Sequence, residues 1–201
     1  MNNTVLKFFN KYQKLCEKKW GIVHIPKPDP KNGMPGKNIT LMFINERPGR
    51  IGPGKSDRIS FENNDPTAHR FRNLFEKLGI SRKRIFITNA CIYYPIRKNY
   101  RDTRPNKKEI DFSAPILEDQ INRVSPKIIL PLGNTALRTL KKIFPELRRI
   151  TLKNHVAKMI TATSYKIFPL YHTSKLAEIT RKEKEQKNDW EILKKLIFKN
   201  L

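Results

Sequence analysis

The sequence predicts an α/β protein, a three-layer α/β/α sandwich built on a central, mostly parallel four-stranded sheet. Three observations carry that expectation. Short, almost wholly apolar runs at 39–45 (ITLMFIN), 85–90 (IFITNA) and 128–132 (IILPL) have the composition of strands covered on both faces. Segments of helical periodicity separate them and are long enough to act as crossovers between parallel strands. Further helical patterns stand at both ends of the chain.

Taken in order, Val5, Phe8, Phe9, Tyr12, Leu15 and Cys16 recur at helical spacing and predict an amphipathic helix over 4–20. The stretch 26–37 holds Pro26, Pro28, Pro30, Gly33, Pro35 and Gly36 and reads as a connector. After the first strand, Phe71, Leu74, Phe75 and Leu78 share one face of a helix over 67–78, with Gly79 as its C-cap. A loop rich in Tyr, Arg and Pro follows the second strand and leads into a helix over 107–124. A fourth apolar strand is expected at 157–163, followed by a run at 166–171. Helical spacing returns over 180–201 with Trp190, Leu193, Leu196 and Ile197. The charge run RKEKEQKND reads as a solvated helix face. One domain is expected over 1–201, with an N-terminal helix and connector at 1–38, a core at 39–178 and a C-terminal helix at 179–201.

The 201 residues suffice to bury a core without metals or disulfides. Lys and Arg number 42 against 18 Asp and Glu, a net charge of +24. Such an excess attracts polyanions, so nucleic acid is the first partner to consider, although a lysine-rich surface also serves solubility alone. Cys16 and Cys91 stand far apart in different patterns and supply neither a paired metal-ligand spacing nor a disulfide framework. A metal-free, cofactor-free protein of a reducing cytosol is expected, acting as a monomer. No apolar run approaches the roughly 18 residues of a membrane span, and the N-terminus alternates charge with apolar residues, so neither export nor membrane insertion is expected.

Ligands of open parallel sheets bind beyond the carboxyl ends of the strands. This chain places its polar residues there: Asn45 to Gly49 after the first strand, Thr88 and Asn89 at the end of the second, Gly133, Asn134 and Thr135 after the third, and Tyr171 to Ser174 after the last. The motifs NERPG at 45–49, ITN at 87–89, LGNTA at 132–136 and YHTS at 171–174 stand in an order and spacing that resembles the uracil-DNA glycosylase superfamily. The thermophile-type branch is the nearest in pattern. The resemblance covers roughly 39–178. It implies an enzyme that extrudes a pyrimidine from DNA and hydrolyses its bond to the sugar.

By that resemblance, Glu46 positions or activates the attacking water. A carboxylate suits the task, because N-glycosidic cleavage builds positive charge on the sugar and water must lose a proton. Binding loop amides is its plainer use. Phe61 stands where the family stacks an aromatic ring on the extruded base, and core filling is its alternative. Asn89 matches the residue that pairs with the base edge, offering one donor and one acceptor to O4 and N3–H. Amide rotation would invert that preference, and strand-end capping is the simpler role. His172 matches the donor to the pyrimidine O2, where negative charge develops on the leaving base.

Gly133, Asn134 and Thr135 open a helix, where free N–H groups favour a phosphate or merely begin the helix. Ser174 is a candidate for a neighbouring phosphate. Lys175 and Leu176 lie where the family inserts a wedge into the emptied base stack. Three departures bear on the substrate. The thermophile-type branch carries four cysteines for an iron-sulfur cluster, and two cannot replace them. Arg47 replaces a small residue beside Glu46 and is a candidate for binding the base, a phosphate or a bulky polar modification. Thr173 replaces a proline, and Ile92, Tyr93 and Tyr94 replace a more basic run.

The leading expectation is release of uracil, leaving an abasic site. Excision of a modified pyrimidine, such as hydroxymethylated or glucosylated cytosine in defence against phages, is the alternative. A non-catalytic DNA-binding module on the same fold is a second alternative. A metal-dependent nuclease ranks last, because the acidic residues are scattered.

Overall fold

The computed structural model describes residues 3–96 and 103–200. Its sheet contains β1 (Leu41–Asn45), β2 (Ile85–Asn89), β3 (Ile128–Pro131), β4 (Ile160–Ala162) and β5 (Tyr165–Ile167) in the spatial order β2-β1-β3-β5-β4. The first four in that order run parallel, and β4 pairs antiparallel at the edge. The sheet therefore has five strands where four were expected. The run 157–163 forms only the edge strand, and the fourth parallel position belongs to β5. The reason is a tight turn at Thr163, whose φ is +52°. Such a conformation is usually signalled by Gly or Asn, and a threonine conceals it in the sequence.

The main helices are α1 (Asn3–Trp20), α2 (Pro66–Glu76), α3 (Lys107–Val124), α4 (Asn134–Ile143) and α5 (Glu183–Asn200). Two of them begin on legible signals. Asp65 caps α2 by accepting from the Ala68 N–H ahead of Pro66. Asn106 and Glu109 form a reciprocal capping box on α3. The 180–201 pattern resolves into a short 3-10 turn, Lys175–Ile179, followed by α5. Arg181 anchors the start of α5 through two bonds, of 2.6 and 2.8 Å, to the buried Asp189 carboxylate.

Strand alternation sets the layers, since successive side chains point to opposite faces. Leu41 and Phe43 pack with Phe71, Leu74, Trp190 and Leu193 of α2 and α5. Met42 and Ile44 pack with Leu117, Ile121 and Leu140 of α3 and α4. Phe43 and Trp190 stack with ring centroids 5.7 Å apart. A third apolar cluster seats Phe8, Phe9, Tyr12 and Cys16 of α1 against Cys91, Ile92 and Tyr93. The connector is also tied down, because Val23–His24 pairs with Tyr94–Pro95 and Lys27–Pro28 with Arg58–Ile59. These contacts bring the segment that follows β2 against the N-terminal helix and the segment that follows β1 against the connector.

Candidate active site

Four parallel strands deliver their carboxyl ends to one edge of the sheet, so the segments after β1, β2, β3 and β5 converge there. Pairing continues beyond β3 and β5 through a bridge between Leu132 and Leu170, and the Gly133 N–H donates to the Leu170 carbonyl at 2.8 Å. Gly133 has φ +91°, and a side chain there would bring its Cβ within 3.3 Å of the His172 Cβ. Glycine is thus favoured by the backbone conformation, and a side chain there would also crowd His172.

A cavity of about 300 Å³ opens at this edge, and Phe61, Asn89, His172, Arg47 and Asp65 are among its lining residues. Asn89 is only 2% exposed, and its side-chain Nδ2 has no hydrogen-bond partner among the described residues. An unmet buried donor costs roughly 1–3 kcal/mol. At a cavity wall, that cost is recovered when a ligand supplies the acceptor. Phe61 is buried against Phe71 and Phe75, with the Arg82 guanidinium 4.3 Å from its ring centroid. It belongs to the core and also borders the cavity.

His172 is half-buried, and its Nδ1 accepts from the Ser174 N–H at 3.1 Å. In the neutral imidazole that bond assigns the proton to Nε2, leaving it as the donor. Burial pushes the His172 pKa below its usual value. The Glu46 charge opposes this, Arg104 adds to it, and Asp65 opposes it more weakly. Buried Thr173 donates its hydroxyl to the Thr67 carbonyl at 3.3 Å, fastening the histidine loop to the first turn of α2. That contact gives a structural use to the threonine found where the resembling family has proline.

Glu46 is held from two sides. Its backbone carbonyl accepts from the Cys91 N–H at 3.0 Å, and its Oε2 accepts from the Thr135 hydroxyl at 2.6 Å. Thr135, expected beside a phosphate, thus spends its side chain on the carboxylate. Asn134 begins α4 next to it.

Arg47 lines the cavity and is fastened to its neighbours. Its side chain is 5% exposed and donates to Glu109 at 2.6 Å, to the Thr103 carbonyl at 3.2 Å and to the Cys91 sulfur at 3.4 Å. A buried cation demands a counter-charge, and Glu109 supplies it. The guanidinium also lies 5.8 Å from the Tyr93 ring centroid. Its contacts fasten the β1 loop to α3.

Ser174 precedes the Lys175–Ile179 turn, in which Lys175 is exposed, Leu176 is 61% exposed and Ile179 is 75% exposed.

The profile of the Uracil DNA glycosylase superfamily matches residues 8–197. The chain belongs to that superfamily. Among curated relatives, it is 29% identical over 157 residues to the type-4 uracil-DNA glycosylase of Sulfurisphaera tokodaii, covering 70% of this chain and 64% of that protein. It is 32% identical over 157 residues to the type-4 uracil-DNA glycosylase of Saccharolobus solfataricus, covering 71% of this chain and 65% of that protein. The chain therefore spans just under two thirds of the length of these relatives.

The iron-sulfur cluster suggested by the thermophile-type resemblance does not fit this superfamily member. The whole sequence holds two cysteines, both buried in the apolar cluster around α1. Among the described residues, no group of three or more His, Cys, Asp or Glu could hold a metal, and no helix is long and apolar enough to cross a membrane.

Sequence reasoning missed Asp65 as a site residue. The pattern Asp-Pro at 65–66 announces a helix start, but only the fold places that cap at the cavity.

Proposed function

We propose that the chain is a DNA glycosylase that hydrolyses the N-glycosidic bond of a pyrimidine turned out of the helix, with uracil as the first substrate to test. The observation that carries this reading is the pairing, at one cavity, of an unmet Asn89 donor with a His172 imidazole held as an Nε2 donor. Asn89 would satisfy the base at O4 and N3, and Phe61 would cover a face of the ring. As the bond from C1′ to the base nitrogen breaks, its electron pair leaves with the base, and His172 Nε2–H meets the charge gathering on O2. Glu46, steadied by Thr135, stabilises the cationic sugar and accepts a proton from the water whose oxygen bonds to C1′. The products are a free base and an abasic site. No cofactor has a step.

Ser174, Gly133 and Asn134 are proposed to hold flanking phosphates. Arg47 serves the base pocket indirectly by fixing its wall, and Lys175 and Leu176 enter the vacated stack. The excess of 42 basic over 18 acidic residues supports DNA as the partner. Excision of a modified pyrimidine is a second reading, favoured by Asp65 and the side-chain-free Gly49 and Gly52 along the cavity wall.

Incubation with a uracil-containing duplex in EDTA, followed by alkali, tests the activity. Strand breaks at the uracil position are expected. Failure to release uracil or any modified pyrimidine, despite DNA binding, would instead establish a binding module.

A further inference from the structure

Asp65 has a structural task that occupies one of its carboxylate oxygens. Its Oδ1 accepts from the Ala68 N–H at 2.9 Å, and this is the side chain's only hydrogen bond shown among the described residues. The second oxygen lies against Gly52, where a Cβ would come within 2.1 Å of it. Any larger residue at position 52 would displace the carboxylate. Asp65 is half-buried, lines the same cavity as Asn89, and is close enough to His172 for its charge to act on the imidazole. Helix capping explains Oδ1. It does not explain a carboxylate rather than serine, threonine or asparagine, nor a glycine opposite that accommodates it.

The geometry of a pyrimidine narrows what Oδ2 could meet. A ring attached to sugar at N1, held at O2 by His172 and at N3 and O4 by Asn89, has only C5 and C6 left to face the remaining wall. Gly49, Gly52 and Asp65 are among the other residues lining the cavity, and the two glycines present no side chain to it. A bare C5–H or a methyl group offers a carboxylate nothing, and burying an unmet acceptor against it is unfavourable. A hydroxyl or amino group there would donate to a charged acceptor, the stronger kind of hydrogen bond.

We propose that Asp65 is a specificity-determining residue that accepts a hydrogen bond from a donor substituent at C5 of the extruded base, favouring such pyrimidines over equally bulky ones without a donor. The inference rests on the glycosylase reading above. It assigns Asp65 to the substrate contact and leaves water activation with Glu46.

The test uses three duplexes differing only in the base opposite one guanine: uracil, thymine or 5-hydroxymethyluracil. Thymine supplies a C5 substituent without a donor, and 5-hydroxymethyluracil adds a hydroxyl donor to that substituent. Single-turnover release is measured for the full chain and for Asp65→Asn and Asp65→Ser, both of which retain a good helix cap. The wild-type chain is expected to release 5-hydroxymethyluracil about tenfold or more faster than thymine, and each variant to reduce that ratio by about tenfold. A purely structural cap would leave the ratio unmoved. An unmoved ratio in folded variants, or a wild-type chain that treats the two bases alike, overturns the role of Asp65. If neither variant folds, the wild-type ratio alone decides. Where uracil is still released, the glycosylase reading survives that loss; release of no base from any duplex overturns both.

Discussion

The loops after β1 and β5 meet at one cavity but are secured in opposite ways. The β1 loop is fixed from several directions: Thr135 holds the Glu46 carboxylate, Cys91 holds its backbone, and Glu109 holds Arg47. The β5 loop is fixed near His172 by Thr173 and Ser174, then opens into a turn that presents Leu176 and Ile179 to solvent. Groups assigned to bond breaking are therefore preorganised, and those assigned to the duplex are exposed. Reorganisation during reaction is costly for the former, whereas the latter must accommodate a bulky partner.

The largest effect expected is on the bolt of the β1 loop. Arg47 and Glu109 have side chains only 5% and 13% exposed, so Arg47→Ala leaves a carboxylate largely buried without its cation. Breaking such a pair costs about 3–5 kcal/mol. Chemical denaturation should report that loss, and a double variant, Arg47→Met with Glu109→Leu, should recover much of it. A loss below about 1 kcal/mol, the range of an exposed pair, would show that this loop is not secured as described.

His172→Ala is expected to lower single-turnover base release by about 10²–10³, the size of a lost transition-state donor, while DNA affinity changes little. Equal losses in affinity and rate would contradict the division between the two regions. The pH profile supplies a second check. Burial lowers the His172 pKa, so the neutral form persists below the ordinary 6.5 and protonation begins only at more acid pH. Protonation would also disrupt the Ser174 N–H contact to Nδ1. The histidine-dependent rate, measured as wild type relative to His172→Ala, should therefore be flat from pH 8 down to 6.5. A transition centred at or above 6.5 would show that burial does not hold the imidazole neutral.

Much of this division was legible in the sequence where a polar residue directly follows an apolar strand. Glu46, Asn89 and His172 could be placed that way, since strand ends define their neighbourhood before any packing is known. Partnerships across long separations could not. Thr135 meets Glu46 from 89 residues away, and Arg47 meets Glu109 from 62. Neither bond leaves a periodic trace. Asp65 was readable as a helix start but not as cavity wall, because that depends on how α2 docks. Thr163 shows the converse difficulty: a positive φ on a residue without turn character made two short strands read as one strand and a tail.

Thr135→Val separates positioning from chemistry within the β1 region. Valine keeps the shape and removes the hydroxyl that donates to Glu46 at 2.6 Å. A rate loss of about tenfold is expected, consistent with one hydrogen bond to a charged group that water can partly replace. The loss should be much smaller when Thr135→Val is introduced into Glu46→Gln, because the group it positions is already compromised. Fully independent effects in the double variant would remove Thr135 from the β1 assembly.

The smallest effect should come from the exposed region. Leu176→Ala deletes an apolar side chain that is 61% exposed in the free protein and is assigned no part in the chemistry. Its value depends on a base stack that it can enter. Extruding a base from a duplex costs a few kcal/mol of unstacking and unpairing, less at a mismatch and least in a single strand. Inserting an apolar wedge offsets part of that cost. Truncating leucine to alanine removes three carbons, roughly 2 kcal/mol of burial by transfer energies, an upper bound if the stack closes around the smaller side chain. Leu176→Ala should therefore slow release from a paired uracil by about fivefold, slow a mismatched one less, and leave a single-stranded oligonucleotide near the wild-type rate. A uniform decrease across all three substrates would instead place Leu176 among the residues that hold the catalytic geometry, and the contrast between the two loops would fail at that point.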